Sequence, residues 1–278
     1  MNQSENLDQA LEQIDLEKSL NRIKYKIIVL SGKGGVGKST VSANLALSLA
    51  LGGKRVGLLD IDFHGPSIPR LMGLEGRKVE MHNDKLVPVR FTENLKVMSL
   101  GMLVESRDAV IWRGPMKMGA IKQMIKDVEW GDLDYLIFDS PPGTGDEPLS
   151  VVQLVKNATG AVVVTTPQAI SISDVRRSIQ FCEKLNLPVL GVIENMSGFI
   201  CPSCGTEHDI FKTGGGKSMA EEMNVKFLGK IPIEPQIVEA SDSGKPYVYH
   251  YGKSETAKAF LSMVDELVKN VQNSESEE

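Results

Sequence analysis

The sequence has few cysteines, no long apolar run and no excess of positive charge. Three cysteines cannot form a disulfide framework, and two of them stand as Cys201-Pro-Ser-Cys204, a spacing that in a cytosolic protein suggests metal or redox chemistry. No run approaches the roughly 18 apolar residues of a membrane-spanning helix, so we expect no integral membrane protein. The formal net charge is -5, with both signs interleaved along the chain, which argues against nucleic acid as a partner.

The first residues of the chain are acidic and polar, where an export signal would begin with basic residues and continue with an apolar centre. We therefore expect a cytoplasmic location and no membrane association. The composition, with 41% hydrophobic and 24% charged residues, is that of an ordinary globular protein with a sizeable core.

Short apolar runs alternate along the chain with longer amphipathic segments. The runs that we predict as strands cover residues 27–30, 56–59, 95–100, 135–138, 161–165, 189–193 and 225–228. The segments that we predict as helices cover residues 38–51, 117–126, 148–157, 173–185, 217–223 and 255–271. This alternation predicts an α/β fold with a doubly wound, mostly parallel sheet flanked by helices, and the near-continuous apolar strands predict burial on both faces.

We divide the chain into three parts. Residues 1–25 are expected to form an N-terminal arm or marginal helix, and residues 272–278 a disordered acidic tail. Residues 26–271 are expected to form a single domain, with a loop that carries the two nearby cysteines inserted at about 198–213 and a hairpin at 79–91. In such a sheet, ligands bind at the carboxyl ends of the strands.

A glycine-rich loop follows the first predicted strand and precedes the first long helix. It consists of Gly32, Lys33, Gly34, Gly35, Val36, Gly37, Lys38, Ser39 and Thr40. Glycines let backbone N–H groups converge on phosphate oxygens, Lys38 can reach the β and γ phosphates, and the Ser39 hydroxyl can bind Mg²⁺. This strand–loop–helix context predicts a P-loop nucleotide site.

Two further strands end in carboxylates. The second predicted strand is followed by Asp60-Ile-Asp62, and the fourth by Asp139-Ser-Pro-Pro-Gly143. Asp139 is placed to hold Mg²⁺ through a water molecule, and Gly143 can offer its backbone N–H to a γ-phosphate. Whether Asp60 has a chemical or a structural role is open at this stage.

The spacing Lys33-Gly-Gly-Val-Gly-Lys38-Ser resembles the deviant Walker A loop of the MinD, ParA, ArsA and nitrogenase iron-protein class. The resemblance implies an ATP-bound homodimer in which Lys33 reaches the nucleotide of the facing subunit, with Lys38 and Asp62 as the other catalytic residues and Asp62 orienting the water. In that class an asparagine at the position of Asn195 hydrogen-bonds adenine. The segment around Pro232 looks like the loop that packs against the base, although a structural turn is an alternative.

Residues 213–218, Thr-Gly-Gly-Gly-Lys-Ser, end like a second P-loop. Phe211 stands where the first glycine would be required, and no strand precedes the segment. We therefore expect the start of a helix there and no second nucleotide site.

The pair Cys201 and Cys204 supplies only two ligands, whereas tetrahedral zinc and the common iron–sulfur clusters take four. Cys182 and His208 are the remaining candidates in the same chain, although Cys182 lies among apolar neighbours as a core residue would. A symmetric dimer would instead bring four thiolates to one place. Zinc, a redox disulfide and structural thiols are alternatives to a bridging iron–sulfur cluster.

Taken together, the motifs resemble the Mrp/ApbC family of iron–sulfur cluster carrier ATPases over about residues 26–269. The motifs are the P-loop with Lys33, Asp60-Ile-Asp-Phe-His-Gly-Pro-Ser-Ile-Pro69, Trp112-Arg-Gly-Pro-Met-Lys117, the Asp139 segment, Glu194-Asn-Met196 and the cysteine pair. The resemblance implies a homodimer that holds a [4Fe-4S] cluster between two Cys201/Cys204 pairs, passes it to apo-proteins, and couples its loading or release to ATP hydrolysis.

Two other functions are alternatives at this stage, a MinD- or ParA-like positioning ATPase and a zinc-stabilised ATP-binding module. A positioning ATPase would bind membrane or DNA reversibly. The last predicted helix, however, has an apolar stripe with acidic residues among few lysines, so we expect it to dock on the domain rather than on anionic lipid.

Overall fold

The computed structural model describes residues 3–63, 65–103, 114–201, 203–204 and 206–276. Trp112 and Arg113, which open one of the sequence motifs, therefore lie outside the described residues. The helices are α1 (Gln3–Asn21), α2 (Lys38–Leu51), α3 (Ile68–Leu71), α4 (Gly114–Lys126), α5 (Asp146–Leu154), α6 (Ala169–Lys184), α7 (Gly215–Glu222), α8 (Pro235–Asp242), α9 (Tyr247–His250) and α10 (Glu255–Ser276), with one 3₁₀ turn at Leu100–Met102.

The strands are β1 (Ile23–Ser31), β2 (Val56–Asp60), β3 (Glu80–His82), β4 (Lys85–Val87), β5 (Val89–Arg90), β6 (Leu95–Ser99), β7 (Leu133–Asp139), β8 (Gly160–Thr165), β9 (Val189–Glu194), β10 (Phe199–Ile200), β11 (Glu207–His208) and β12 (Phe227–Lys230). Eight of them form one sheet in the order β12-β9-β8-β1-β7-β2-β6-β5. All neighbours are parallel except the edge strand β5, which runs antiparallel to β6. The predicted doubly wound, mostly parallel sheet is confirmed.

Strand β1 lies at the centre of the sheet, between β7 and β8. The strand order changes direction beside it, so the loops after β1 and β7 open at the switch point where ligands bind in this architecture. The P-loop follows β1, and the Asp139 segment follows β7.

Both faces of the sheet are covered by helices. Ile27 and Val29 face a cluster built with α2 and α10, whereas Ile28 and Leu30 face a second cluster built with α1, α4 and α5. A smaller third cluster joins β8 and β9 to α6 and α7. The near-continuous apolar strands are therefore explained by burial on both sides. None of the described helices is long and apolar enough to cross a membrane.

Several boundaries differ from the sequence predictions. Helix α1 is continuous and buries Leu16 and Leu20 in the second cluster, and β1 starts at Ile23, within the predicted arm. The strand predicted at 225–228 is shifted to Phe227–Lys230. Helix α10 extends through Ser276, which corrects the predicted disordered tail for residues 272–276, because no glycine or proline there interrupts the helix. The hairpin is confirmed as β3–β4, turning at residues 83 and 84 with φ of 48° and 60°.

The docking of α10 on the domain can be tested with two leucines of the same helix. Leu267 is 0% exposed in the first cluster, whereas Leu261 is 40% exposed. Leu267→Ala should lower the free energy of unfolding by about 2–5 kcal/mol, because it leaves a cavity. Leu261→Ala should change it by less than about 0.5 kcal/mol. Chemical denaturation measures both, and equal effects would contradict this docking.

Candidate nucleotide site and cysteine loop

The P-loop joins the end of β1 to the N-terminus of α2. Gly35 and Gly37 have φ of 78° and 79°, a left-handed conformation that strongly favours glycine. Gly37 is the N-cap of α2, so the first turn of the helix, with its N–H groups and positive dipole end, begins directly at the loop. This backbone has the form that phosphate groups need.

Two neighbouring segments pack closely against the P-loop. A Cβ atom on Gly32 would lie 2.5 Å from the backbone oxygen of Asp174 in α6, and one on Gly37 would clash with Nδ2 of Asn195. The same Nδ2 donates to the backbone oxygen of Val36 at 2.9 Å. The structure thus brings the predicted adenine-side residue, Asn195, against the phosphate loop.

Lys38 and Asp139 form a buried ion pair beneath the loop. Lys38 Nζ lies 2.7 Å from Asp139 Oδ1 and 3.5 Å from the hydroxyl of Ser39, and Ser42 Oγ donates to the same Oδ1 at 2.8 Å. Ser42 was not among the residues predicted for the site, although its position one turn after Lys38 puts both residues on one face of α2.

The other carboxylate oxygen of Asp139, Oδ2, is buried and has no hydrogen-bond partner among the described residues. An unpartnered buried oxygen is costly unless a cation or a water molecule approaches it. Together with the Ser39 hydroxyl it forms an oxygen donor set of the kind that Mg²⁺ prefers, so the residues present fit that ion.

Asp60 lies directly opposite Asp139 in the register of β2 and β7. Its Oδ1 accepts the backbone N–H of Asp62 at 3.2 Å, and its Oδ2 accepts the backbone N–H of Ile68 at 3.2 Å and the hydroxyl of Ser99 at 2.9 Å. Burial, followed by the charge of Asp139, raises the pKa of Asp60 to about 7. Asp60 is therefore an anchor for the following loop, which carries the half-buried Asp62.

The segment after β7 is tied to the P-loop strand. The backbone N–H of Gly143 donates to the backbone oxygen of Ser31 at 2.8 Å, so a phosphate contact from Gly143 would require this bond to be exchanged. Lys117 forms an ion pair with Glu147 of α5, and its Nζ lies 5.5 Å from the ring centroid of Phe63. Lys117 thus connects the loop that carries Asp62 with the segment after Asp139.

On the base side, the chain after β12 runs beside the chain after β9. The N–H of Ile231 donates to the oxygen of Glu194 at 2.8 Å, and the N–H of Ser197 donates to the oxygen of Ile231 at 2.9 Å. These bonds hold the partly exposed Pro232 at the same edge of the sheet as Asn195. Lys33, near the start of the P-loop, is partly exposed, and its backbone oxygen accepts the hydroxyl of Ser31 at 3.0 Å.

Cys201 and Cys204 lie in the turn of the small antiparallel hairpin β10–β11. The N–H of Cys201 donates to the oxygen of Thr206 at 2.9 Å, and Cys204 Sγ lies 3.3 Å from Thr206 Oγ1. Hydrogen bonds with the side chain and backbone of Thr206, and with Cys201, lower the pKa of Cys204, which is exposed. An accessible thiol with a lowered pKa is suited to bind metal.

No group of three or more His, Cys, Asp or Glu residues suited to hold a metal occurs in the described part of the chain. Cys182 is buried in the second core cluster, as predicted, and burial raises its pKa to about 12. Neither it nor His208 therefore completes a site with Cys201 and Cys204.

The P-loop-like residues 213–218 form the start of α7, as predicted. The carboxylate of Glu194, at the end of β9, accepts the backbone N–H of Gly214 at 2.8 Å and also that of Gly216. A side chain of the protein itself thus takes the position that an anion would occupy at this helix terminus. No role was predicted for Glu194.

The Lys38–Asp139 pair gives a test of the phosphate site. Lys38→Ala should abolish tight nucleotide binding, and it should destabilise the protein by roughly 3–5 kcal/mol because Asp139 is left buried without its countercharge. Adding Asp139→Asn should recover most of that stability without recovering nucleotide binding. Titration calorimetry with Mg-ADP and chemical denaturation measure the two effects.

The matched control is Lys217→Ala, which removes the exposed lysine from the second Gly-Lys-Ser segment. It should change neither nucleotide affinity nor stability. Undiminished nucleotide affinity in Lys38→Ala would contradict the assignment of the P-loop as the phosphate-binding site.

Comparisons with known proteins agree with this geometry. A family model described as ParA, NUBPL iron-transfer P-loop NTPase, matches residues 22–268. The chain is 47% identical over 272 residues to the iron-sulfur cluster carrier protein of Saccharolobus solfataricus, covering 97% of this chain and 92% of that protein. It is 52% identical over 251 residues to a Dictyostelium discoideum protein named cytosolic Fe-S cluster assembly factor NUBP2 homolog, covering 88% and 95%.

Two solved structures are also similar. One is a nucleotide-binding protein in complex with ADP from Archaeoglobus fulgidus, with a TM-score of 0.76 and 42% identity, covering 86% of this chain and 93% of that one. The other is the MinD cell division protein of Aquifex aeolicus, with a TM-score of 0.65 and 26% identity, covering 88% and 97%. On these grounds the chain belongs to the NUBPL iron-transfer family of ParA-type P-loop NTPases.

Proposed function

We propose that the protein is an ATP-hydrolysing iron–sulfur cluster carrier, which holds one [4Fe-4S] cluster between two copies of the chain and delivers it to apo iron–sulfur proteins. The observation that carries the proposal is the β10–β11 hairpin, which presents Cys201 and Cys204 as two neighbouring thiols at the nucleotide-site edge of the sheet. The names of the relatives, iron-sulfur cluster carrier and Fe-S cluster assembly factor, support it. The name of the Dictyostelium relative also supports a cytoplasmic location.

The dimer is proposed because one chain provides too few ligands. Two thiolates fill half of a four-ligand site, and two chains related by a two-fold axis bring four thiolates together. Because a two-fold axis presents the same surface of both chains to each other, Cys201 and Cys204 of each chain would lie at the contact. This part of the chain is exposed enough for such a contact, since Cys204 and, just after the hairpin, Ile210 and Phe211 are on the surface.

For the nucleotide, each predicted residue has a proposed task. Residues 32–37 cradle the phosphates with their backbone, Lys38 neutralises phosphate charge, and Ser39, Thr40 and Asp139 surround the Mg²⁺ position. Bound Mg²⁺ would supply positive charge to the β and γ phosphates. Asp62 orients the attacking water, and Gly143 exchanges its bond to Ser31 for a phosphate contact.

Lys33 is proposed to act on the nucleotide of the facing chain, in the manner of an arginine finger. Lys33 is partly exposed, whereas Lys38 is buried against Asp139. The two lysines of one loop would therefore serve two different active sites. On the base side, Asn195 and Pro232 contact adenine, and ATP hydrolysis accompanies loading or release of the cluster.

The Lys33 proposal predicts a separation of binding from turnover. Lys33→Ala should bind ATP with near-normal affinity and hydrolyse it about 10² or more times slower, because charge on the transferring phosphate loses its partner from the other chain. Mixing Lys33→Ala chains with Lys38→Ala chains should partly restore hydrolysis, since the second variant supplies the missing lysine. Steady-state phosphate release measures all three samples, and wild-type turnover by Lys33→Ala alone would disprove action across the dimer.

The shared cluster predicts a stoichiometry. After anaerobic reconstitution with iron and sulfide, the wild-type protein should contain about four irons and four sulfides per dimer. Cys201→Ala or Cys204→Ala should abolish stable cluster binding and leave nucleotide affinity nearly unchanged, because the phosphate cradle is built from other segments. Metal and sulfide analysis, the visible absorption spectrum and the mass of the complex provide the measurements.

Cys182→Ala is the matched control, because it removes a thiol that lies in the core. It should retain the full cluster. A complete cluster on a strict monomer, or a full cluster in Cys201→Ala, would contradict the bridging site, and one zinc per chain or per dimer in a colourless protein without hydrolysis would favour a zinc-stabilised module instead.

A further inference from the structure

The chain that leaves β9 at Glu194 carries both cysteines before it returns to the sheet edge at the start of α7. The two ends of this segment, residues 197–213, are held together by Ser197 and Thr213, whose hydroxyl oxygens lie 2.9 Å apart. Both ends are also bonded to one carboxylate. Glu194 Oε1 accepts the hydroxyl of Ser197 and, at 2.8 Å, the N–H of Gly214. The segment with Cys201 and Cys204 is therefore a closed loop with Glu194 at its base.

Both oxygens of the Glu194 carboxylate accept hydrogen bonds. Glu194 is fully buried, and its second oxygen, Oε2, accepts the N–H of Gly216. A buried carboxylate is strongly unfavourable unless donors surround it, and here two backbone N–H groups of a helix N-terminus and one hydroxyl do so. A Cβ atom on Gly216 would lie 3.0 Å from Oε2 and 2.9 Å from a methyl carbon of Thr165, so a larger residue would push the helix away from the carboxylate.

The same stretch of backbone contacts the nucleotide site. Asn195, the next residue, donates from Nδ2 to the oxygen of Val36 in the P-loop. The backbone oxygen of Glu194 accepts the N–H of Ile231, next to Pro232. The phosphate loop, the base-side loop and the cysteine loop are thus connected through two adjacent residues, which one planar peptide unit joins.

We propose that Glu194 is a positioning residue that links nucleotide binding to the conformation of the cysteine loop. Displacement of the P-loop or of Asn195 by a nucleotide changes the orientation of Glu194 and, through Ser197, Gly214 and Gly216, the exposure of the two thiols. This inference rests on the proposed function, since it gives that function a physical connection between ATP and the cluster ligands.

The test measures the thiols directly and needs no cluster. The rate at which iodoacetamide alkylates Cys204 is followed by peptide mass spectrometry in the metal-free, full-length protein, with and without Mg-ADP or a non-hydrolysable ATP analogue. In wild type the nucleotide should change this rate by about fivefold or more, the lower end of typical coupling between two sites. In Glu194→Gln, whose amide NH₂ cannot accept a backbone N–H, nucleotide affinity should stay within about threefold while the nucleotide effect on alkylation disappears.

Two further variants make the result specific. Glu222→Gln changes an exposed glutamate of α7, the helix whose N-terminus Glu194 contacts. Glu222 pairs with Arg176 instead, so this variant should behave as wild type. Thr213→Val removes only the hydroxyl contact with Ser197, and it should reduce the nucleotide effect even if Glu194→Gln does not fold.

Three results would overturn the proposal. They are a wild-type alkylation rate that nucleotide does not change, a full nucleotide effect in Glu194→Gln or in Thr213→Val, and loss of nucleotide binding in a folded Glu194→Gln. The outcome is separable from the fate of the proposed function, because absence of a [4Fe-4S] cluster in the reconstituted dimer would overturn that function and leave the alkylation experiment readable.

Discussion

The arrangement of the site depends on the buried ion pair between Lys38 and Asp139. Two charges are held in the interior where α2 starts and β7 ends, and burying them is costly unless each is paired and hydrogen-bonded. Ser42 satisfies part of this requirement by donating to the same Asp139 oxygen as Lys38, and it ties the first turns of α2 to the end of β7. Because Asp139 Oδ2 remains without a donor among the described residues, the pair leaves one buried carboxylate oxygen open to a cation or a water molecule.

A second carboxylate stands beside this pair, and its surroundings give it a different role. Asp60 is in register with Asp139 on the adjacent strand, and two like charges in a buried place oppose each other, which contributes to the raised pKa of Asp60. Both oxygens of Asp60 accept hydrogen bonds from the chain that follows it or from Ser99, so the residue fixes where Asp62 can lie. Two aspartates with the same sequence context, each at the end of an apolar strand, thus differ through their neighbours alone: both oxygens of Asp60 accept hydrogen bonds, whereas Oδ2 of Asp139 has no partner among the described residues.

The difference between local and tertiary contacts determines which parts of the fold and of the site could be predicted from the sequence. The bounds of α2 follow from a glycine-rich turn and a continuous apolar run, which are local signals. The positions of the central strands follow from their apolar runs, although β1 begins four residues before its predicted start. The hairpin turn at Asn83 and Asp84 is also a local signal. The short helices α3, α8 and α9 were not predicted, because four to eight residues show too little periodicity and are held by tertiary contacts. The roles of Ser42 and Glu194 were missed for a related reason. Ser42 acts on a residue 97 positions away, and Glu194 on backbone groups 20 and 22 positions away, which no local pattern reveals.

The two Gly-Lys-Ser segments show most clearly why a motif needs its surroundings. Both precede a helix N-terminus, where converging N–H groups and the helix dipole favour an anion. At Lys38 the segment follows the central strand, contains a second lysine at position 33 and packs against Asn195, so the anion it suits comes from outside the chain. At Lys217 the helix terminus faces the buried carboxylate of Glu194, so the anion is part of the protein and the attraction serves to fix a loop. Glu194 and Asn195 are adjacent in the chain. Asn195 contacts the P-loop, and Glu194 contacts the N-terminus of α7 at the end of the cysteine loop, so one short stretch of backbone lies between the two helix termini.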